Sequence, residues 1–308
     1  MRRRLFPSIL ALVATAGFAT EAQAGKYDLD LTSLGNVDDA GNVTPDKQSF
    51  RSLSSELGVL IAPQPMDPAD SLGLSGFALS ADITLNTISH EADYWTTTSS
   101  GAPDTVVPTV QVMGRKGLWP GLEVGAGASH VFDSKMWTMA GYGKLALHEG
   151  FHHLPIPSIA IRGQFAQLLG SKDFKMTTAS VGATISHVFG MGSTVNITPY
   201  AGYEALIILS RTGVIDSTPG VDEYLGEEMP CANGDSECTV SSEFVMERQS
   251  IVRHRPYLGF RLIFAVIRVG FEAMIVPGGG SSEDIDGETL TDESGLQQQY
   301  TFSLGLDF

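Results

Sequence analysis

The segment spanning residues 257–276 limits most strongly what this chain can fold into. It is mainly apolar and has the length of a membrane-spanning helix, but it carries Arg261, Arg268 and Glu272. Each arginine would cost about 2.5–3.5 kcal/mol at the bilayer centre of such a helix. In a β-strand, successive side chains point to opposite faces. Two strands joined by a turn near Phe264 would therefore put all three charges on one face and the aliphatic side chains on the other. We predict a β-hairpin here.

The same two-residue period recurs along most of the chain. Apolar side chains alternate with small or polar ones in residues 77–85 and again in residues 122–129. Further candidate strands are residues 137–147, 158–169, 175–187, 194–209 and the C-terminal strand, with residues 108–114 as a weaker member. About ten strands of this length would each cross a bilayer at a tilt. The predicted fold is all-β, a transmembrane antiparallel up-and-down β-barrel over residues 71–308; eight or twelve strands and a secreted β-sandwich are the alternatives.

The connections between these strands are of two kinds. Short links lie near Lys116, Gly150, Gly190 and Ala265, and long ones span residues 86–107, 210–254 and 277–297. Two connections on the long-loop side, near Ser134 and Ser171, are also short. Short periplasmic turns with longer extracellular loops are typical of bacterial barrels. An aromatic residue accompanies each short turn and the C-terminus, and we predict a periplasmic aromatic girdle from Trp119, Phe151, Phe189, Phe264 and Phe308.

The two ends of the chain indicate export and a destination. Residues 1–24 have three arginines, a short apolar stretch and an Ala-Gln-Ala site, which predicts a cleaved signal peptide. The C-terminal strand has four apolar or aromatic residues on one face and a terminal phenylalanine, namely Tyr300, Phe302, Leu304, Leu306 and Phe308. It resembles the barrel-assembly signal of Gram-negative outer-membrane proteins. This resemblance to the general barrel class covers residues 71–308. It implies localisation in the bacterial outer membrane, with outer-membrane lipid, lipopolysaccharide and the barrel-assembly machinery as partners.

Residues 25–70 form a segment of a different kind, because they show no alternation. Asp46 is placed to cap a short helix that would run to about Leu57 and end at Gly58. Three prolines follow, before the first strand. We interpret the segment as either a periplasmic arm near the barrel mouth or a plug that enters the lumen.

The inward face of the predicted barrel carries both signs of charge. The alternation places there a set of predicted lumen charges, namely Asp82, Glu123, Lys144, Arg162, Glu204, Arg261, Arg268, Glu272 and Asp307. A barrel of about ten strands has a narrow interior, and a pore for one ion sign would show a charge bias. We therefore expect a closed, salt-bridged lumen, with a polar conduit for small solutes as the alternative. The net charge of −16 argues against binding to nucleic acid.

The predicted extracellular loops are acidic. Residues 283–293 include Glu283, Asp284, Asp286, Glu288, Asp292 and Glu293. Such loops could bind divalent cations that bridge to lipopolysaccharide, although the spacing falls short of a calcium loop. Cys231 and Cys238 lie close together in the longest loop, and in an exported protein we expect them to form a disulfide.

Two groups of histidines are candidates for a metal site or a catalytic site. Residues 148–152 match His-Glu-x-x-His, which binds zinc on a helix, but here the motif follows a strand and contains Gly150. His130 and His254 fall near the extracellular rim, where outer-membrane proteases and lipid A deacylases hold catalytic residues, but no spacing matches either. We therefore predict no metal site and no cofactor. The main hypothesis is a structural or surface-interaction barrel; the alternatives are a porin-like transporter of a small or apolar solute and a rim hydrolase.

Overall fold

A computed structural model describes residues 25–37, 43–64, 66–149, 156–191, 195–217, 243–285 and 287–308. The predicted signal peptide, Phe151 and both cysteines lie outside these residues. The strands are β1 (Gly35–Val37), β2 (Val43–Pro45), β3 (Phe77–Thr87), β4 (Val106–Trp119), β5 (Leu122–Val131), β6 (Trp137–His148), β7 (Ser158–Leu169), β8 (Phe174–Ser186), β9 (Phe189–Met191), β10 (Val195–Thr212), β11 (Val214–Asp216), β12 (Glu243–Val245), β13 (Gln249–Phe264), β14 (Ile267–Val276), β15 (Ser282–Ile285), β16 (Glu288–Thr291) and β17 (Gln297–Asp307). The helices are a 3-10 turn (Leu31–Leu34), α1 (Lys47–Ile61) and α2 (Asp93–Thr96).

Ten long antiparallel strands close into a barrel. Their order follows the chain, from β3 through β8, then β10, β13, β14 and β17. The C-terminal strand β17 pairs with the first barrel strand β3 from Gln299↔Asn86 to Asp307↔Ala78, and β10 pairs with β13, so no edge is left open. The predicted all-β, up-and-down, ten-strand fold is confirmed. The weak candidate, residues 108–114, is part of the longer strand β4.

The two faces of the barrel wall differ in chemistry as the alternation predicts. Outward positions carry exposed apolar side chains such as Ile83, Val112 and Leu304, whereas inward positions such as Asp82 and Glu123 are buried. An apolar outer band and a polar interior are the arrangement that a bilayer requires of a β-barrel. Among the described residues, no helix is both long and apolar enough to cross a membrane.

The long loops all lie at one end of the barrel, together with two short links at residues 132–136 and 170–173; we name this the loop end and the opposite end the turn end. Aromatic side chains project outward at the turn end: Trp119, Phe189, Phe264 and Phe308. Phe308 stacks on Phe77 with 6.4 Å between ring centroids, and the backbones of these two residues exchange hydrogen bonds of 2.8 and 2.9 Å. The chain terminus is therefore fixed to the start of the first barrel strand.

Helix α1 lies inside the barrel, against the inward faces of β8, β10 and β13. The Asp46 carboxylate accepts a hydrogen bond from the Ser49 amide at 2.9 Å, so the predicted cap is present. The expected stop at Gly58 is wrong, because the helix continues to Ile61. A Cβ at Gly58 would lie 2.6 Å from side-chain atoms of Ile208, so this glycine allows the helix to approach the wall closely.

Residues before α1 form a small cap over the loop end. This cap segment, residues 25–37, is held by the Tyr27 amide, which donates to the Asp133 carbonyl at 3.0 Å, and by a Lys135–Asp28 ion pair of 3.2 Å. Leu31 and Leu34 join an apolar cluster that continues through Trp95 into the barrel. The loop end is thus covered by packed apolar side chains.

Candidate functional site

The interior of the barrel is occupied by residues 47–70, which we call the plug. At the loop end, Arg51 in α1 pairs with Glu283 at 3.1 Å and donates to the Ser250 carbonyl. At the turn end, the Leu72 amide donates to Glu123 at 3.1 Å. Between these points the described plug residues are almost all buried. The segment that the sequence left open as arm or plug therefore lies along the lumen.

The plug is joined to the loops through the carboxylate of Glu56, which is completely buried. It accepts hydrogen bonds from the Ser89 amide (2.9 Å) and hydroxyl (2.5 Å), the Tyr94 hydroxyl (3.0 Å), the Trp95 indole (2.7 Å) and the Gly295 amide (3.1 Å). Burial and the negative charge of Glu56 raise the pKa of Tyr94, so its hydroxyl remains a donor. One helix residue thus fixes two separate loop segments.

The carboxylate of a second plug residue, Asp67, is surrounded by Arg and Lys side chains from four barrel strands. Arg115 Nη1 lies 2.8 Å and Arg261 Nη1 3.2 Å from Asp67 Oδ1, and Arg268 Nη1 lies 3.9 Å from the same oxygen. Lys144 Nζ pairs with Oδ2. These residues belong to β4, β13, β14 and β6, so Asp67 lies near the axis of the barrel and ties its wall together from within.

A third carboxylate hub belongs to the wall itself. Glu204 on β10 pairs with Arg162 Nε at 2.6 Å and with Arg255 Nη1 at 3.6 Å, and it accepts two hydrogen bonds of 2.9 Å from Gln164. The Arg162 guanidinium also lies 4.4 Å from the ring centre of Tyr257. This cluster lies beside the plug and fills the lumen on the side of β7, β10 and β13.

The remaining predicted lumen charges also point inward and find partners. Glu123 lies 3.3 Å from Lys144, and Asp307 lies 3.7 Å from Arg268. Glu272 accepts from the Tyr200 hydroxyl at 3.0 Å. Asp82 accepts from Ser80 and Gln111, each at 3.2 Å. The sequence predicted ion pairs between residues of the barrel wall. Such pairs are only part of the network, because most of the predicted lumen cations contact the plug residue Asp67 instead.

Several residues of this charge network could not be identified from the sequence. Arg253 and Arg255 continue the inward face of Arg261 in steps of two, and a longer strand β13 would have revealed them. Arg115 would have been identified in the same way if the predicted strand had extended beyond residue 114, as β4 does. Nothing in the local sequence marks Asp67 or Glu56, since neither lies in a strand and their partners are distant in the chain.

The two candidate rim histidines are not brought together. His130 and His254 lie on β5 and β13, which are opposite each other in the ring of ten strands. His130 stacks on Trp137 with 4.3 Å between ring centres, and His254 stacks on Tyr203 at 5.9 Å. Both positions belong to the outward faces of their strands, so these histidines and their aromatic neighbours lie at the lipid side of the wall.

In the part of the chain that the structure describes, neither the His-Glu-x-x-His motif nor the acidic loop forms a group of side chains that could hold a metal ion. His152 lies outside that part, and Glu149 accepts a hydrogen bond from the Ser71 amide at 2.8 Å. In the loop of residues 277–296, Asp292 is buried and accepts from the Ser55 hydroxyl at 2.6 Å. Glu283 also contacts the plug through Arg51, although its side chain is 33% exposed.

Comparison with known proteins shows no family for this chain. No protein-family model matches the chain, and no curated protein matches it. Among solved structures, the attachment invasion locus protein Ail of Yersinia pestis is 9% identical, with 76% of this chain and 99% of that chain covered and a TM-score of 0.26. Omp33 of Acinetobacter baumannii is 9% identical (77% and 100% covered, TM-score 0.29), and Neisserial surface protein A is 9% identical (75% and 95% covered, TM-score 0.27). The wall of this chain is a closed, ten-strand antiparallel β-barrel, and these comparisons show no family to which it belongs.

Proposed function

We propose that this protein is an outer-membrane barrel closed by its own plug, with a structural or surface-interaction role carried by its loop end. The observation that supports this best is the occupation of the lumen by residues 47–70. Asp67 and Glu56 bind that segment to the wall and to the loops with charge-assisted contacts, which are the stronger class of hydrogen bond. A barrel filled in this way has no continuous aqueous path.

The loop end supplies the surface in this proposal. The cap segment and the loops share an apolar cluster that includes Leu34, Trp95 and Phe244. The hairpin β15–β16 carries the exposed acidic residues Asp284 and Glu288. In our proposal these carboxylates face the lipopolysaccharide zone and bind divalent cations that bridge to its anionic groups.

Conductance in planar lipid bilayers tests the closed lumen. We expect no large, stable openings from the complete protein, and stable openings from a variant that lacks residues 47–64. A matched variant that lacks residues 25–37 keeps the plug and should stay closed. Openings in the complete protein would contradict the proposal, and a closed plug-deletion variant would show that the wall network alone closes the barrel.

A gated transporter is the second candidate, and one observation favours it. Among the described residues, no backbone-to-backbone hydrogen bond joins residues 47–70 to a barrel strand; every hydrogen bond between them involves a side chain. The plug is bound through side chains, and such contacts break one at a time. Under this candidate the complete protein would open when a solute or a voltage displaces the plug, and solute-dependent uptake into proteoliposomes would detect it.

A further inference from the structure

The four cations around Asp67 offer more binding capacity than one carboxylate uses. A guanidinium has five N–H donors, whereas a carboxylate has two oxygens with about four lone-pair positions. Arg115 is 1% exposed; its Nη1 is in ion-pair contact with Asp67 at 2.8 Å, whereas its Nε and Nη2 make no hydrogen bond to any described residue. The same holds for Nε and Nη1 of Arg268 and for Nε of Arg261. Buried donors without acceptors are uncommon and costly.

The nearby anions offset part of the positive charge but accept no hydrogen bond from these N–H groups, and Glu123 Oε1 and both Asp307 carboxylate oxygens also lack a hydrogen-bond partner among the described residues. Glu123 lies 3.3 Å from Lys144, and Asp307 lies 3.7 Å from Arg268. The Tyr142 hydroxyl donates to Asp67 Oδ2 at 3.3 Å and adds one more donor. The barrel wall therefore supplies a cluster of basic side chains, while the carboxylate at its centre comes from a different segment of the chain.

We propose that Arg115, Lys144, Arg261 and Arg268 form a carboxylate-binding site of the barrel wall, which Asp67 occupies as a built-in ligand. When the plug shifts, the site takes the carboxylate of a small organic anion in place of Asp67. Arginines and a lysine that converge from four strands match this task, because guanidinium groups bind carboxylates through paired N–H donors. The inference rests on the position of the plug and is independent of whether the barrel conducts.

Chemical rescue tests the site directly. In Asp67→Ala the Cβ remains and the carboxylate is lost, so formate is the matching probe. The variant is refolded into detergent micelles with and without formate, so that access to the lumen does not limit binding. The readout is the temperature at which the folded band on a heat-modifiability gel disappears. We expect formate to raise this temperature by about 3 °C or more and to saturate.

The controls separate a specific site from a salt effect. Asp70→Ala is the matched variant, because the Asp70 side chain accepts from the hydroxyls of Ser158 and Ser186. Formate should restore Asp67→Ala alone and leave Asp70→Ala and the unaltered protein unchanged. Formamide, which has the shape of formate without its charge, and sodium chloride at equal ionic strength should have no effect. Should Asp67→Ala fail to fold without formate, recovery of folded protein in its presence is the same positive result.

Three outcomes would overturn the proposal: no rescue by formate, equal rescue of Asp70→Ala, or equal rescue by formamide. Stronger rescue by inorganic phosphate than by formate would overturn the assignment to a carboxylate. None of these results depends on conductance, so they can be told apart from a failure of the closed-barrel proposal.

Discussion

Replacement of Glu56 by glutamine should loosen the loop end without unfolding the barrel. Glutamine has nearly the size of glutamate but keeps only one acceptor oxygen. Three of the donors to Glu56 are N–H groups that cannot reverse their role, those of Ser89, Trp95 and Gly295. The other two are hydroxyls, of Ser89 and Tyr94, which can rotate and accept.

The size of the effect follows from this count. If the amide oxygen keeps the Ser89 and Trp95 N–H groups, the amide nitrogen faces the Gly295 N–H. One buried N–H then lacks an acceptor, at a cost of about 1–3 kcal/mol. The remaining bonds lose the assistance of the charge and weaken further. We expect a total loss of about 2–4 kcal/mol in the free energy that holds the loop of residues 88–99 on the plug.

Hydrogen–deuterium exchange measures that free energy locally. Because 1.36 kcal/mol corresponds to a tenfold change, the amides of residues 88–99 should exchange about 30-fold faster or more in Glu56→Gln. Glu91→Gln is the control, because the Glu91 side chain is 91% exposed and lies in the same loop. Exchange in Glu56→Gln that is no faster than in Glu91→Gln would refute the reasoning. It would mean that these donors find other acceptors.

Three further outcomes follow from single contacts. Gly58→Val should destabilise the plug by about 1–3 kcal/mol, because the new Cβ would meet Ile208 at 2.6 Å; thermal unfolding followed by gel shift measures this. Phe308→Ala should lower the fraction of protein that assembles into the outer membrane, measured as the heat-modifiable band after cell fractionation, because the C-terminal ring would no longer stack at the seam. The hydrogen bond from Lys26 holds the pKa of Asp104 below its usual value. Its contribution is therefore present above the unfolded pKa of about 3.9 and is lost as the pH falls through the lower folded pKa, so amide exchange in the cap segment, relative to the intrinsic exchange rate at each pH, should accelerate below about pH 4.

The barrel wall could be predicted from the sequence because a physical period encodes it. Lipid on one side and polar lumen on the other force alternation at every strand, and the positions of Arg162, Glu204 and Glu272 follow directly. The strand ends were less certain, since alternation fades where loops begin. Arg115 and Arg253 lie in those outer portions of β4 and β13 and were missed for that reason.

The plug could not be predicted in the same way. Residues 62–64 and 66–70 have no regular hydrogen-bonded structure, and their polar groups bond to wall residues far away in sequence, as in the bond from Lys144 Nζ to the Pro68 carbonyl at 3.0 Å. Gly58 resembles a helix terminator in the sequence, whereas its actual role depends on Ile208, which lies 150 positions further along the chain. Contacts between an irregular segment and a barrel wall produce no regular spacing of apolar and polar residues in the sequence, so they cannot be recognised from it.

The path of the plug also constrains how the molecule is made and how it could open. Residues 47–70 run from the loop end to the turn end inside a ring that β17 closes against β3. The N-terminal part of the chain therefore passes through the closed ring of strands that the rest of the chain forms. Either the last strand closes around a segment that is already in place, or everything before residue 47 must be drawn through the lumen afterwards. For the same reason, full removal of the plug toward the turn end would pull the cap segment through the barrel. A partial slide that frees Asp67 requires no such passage.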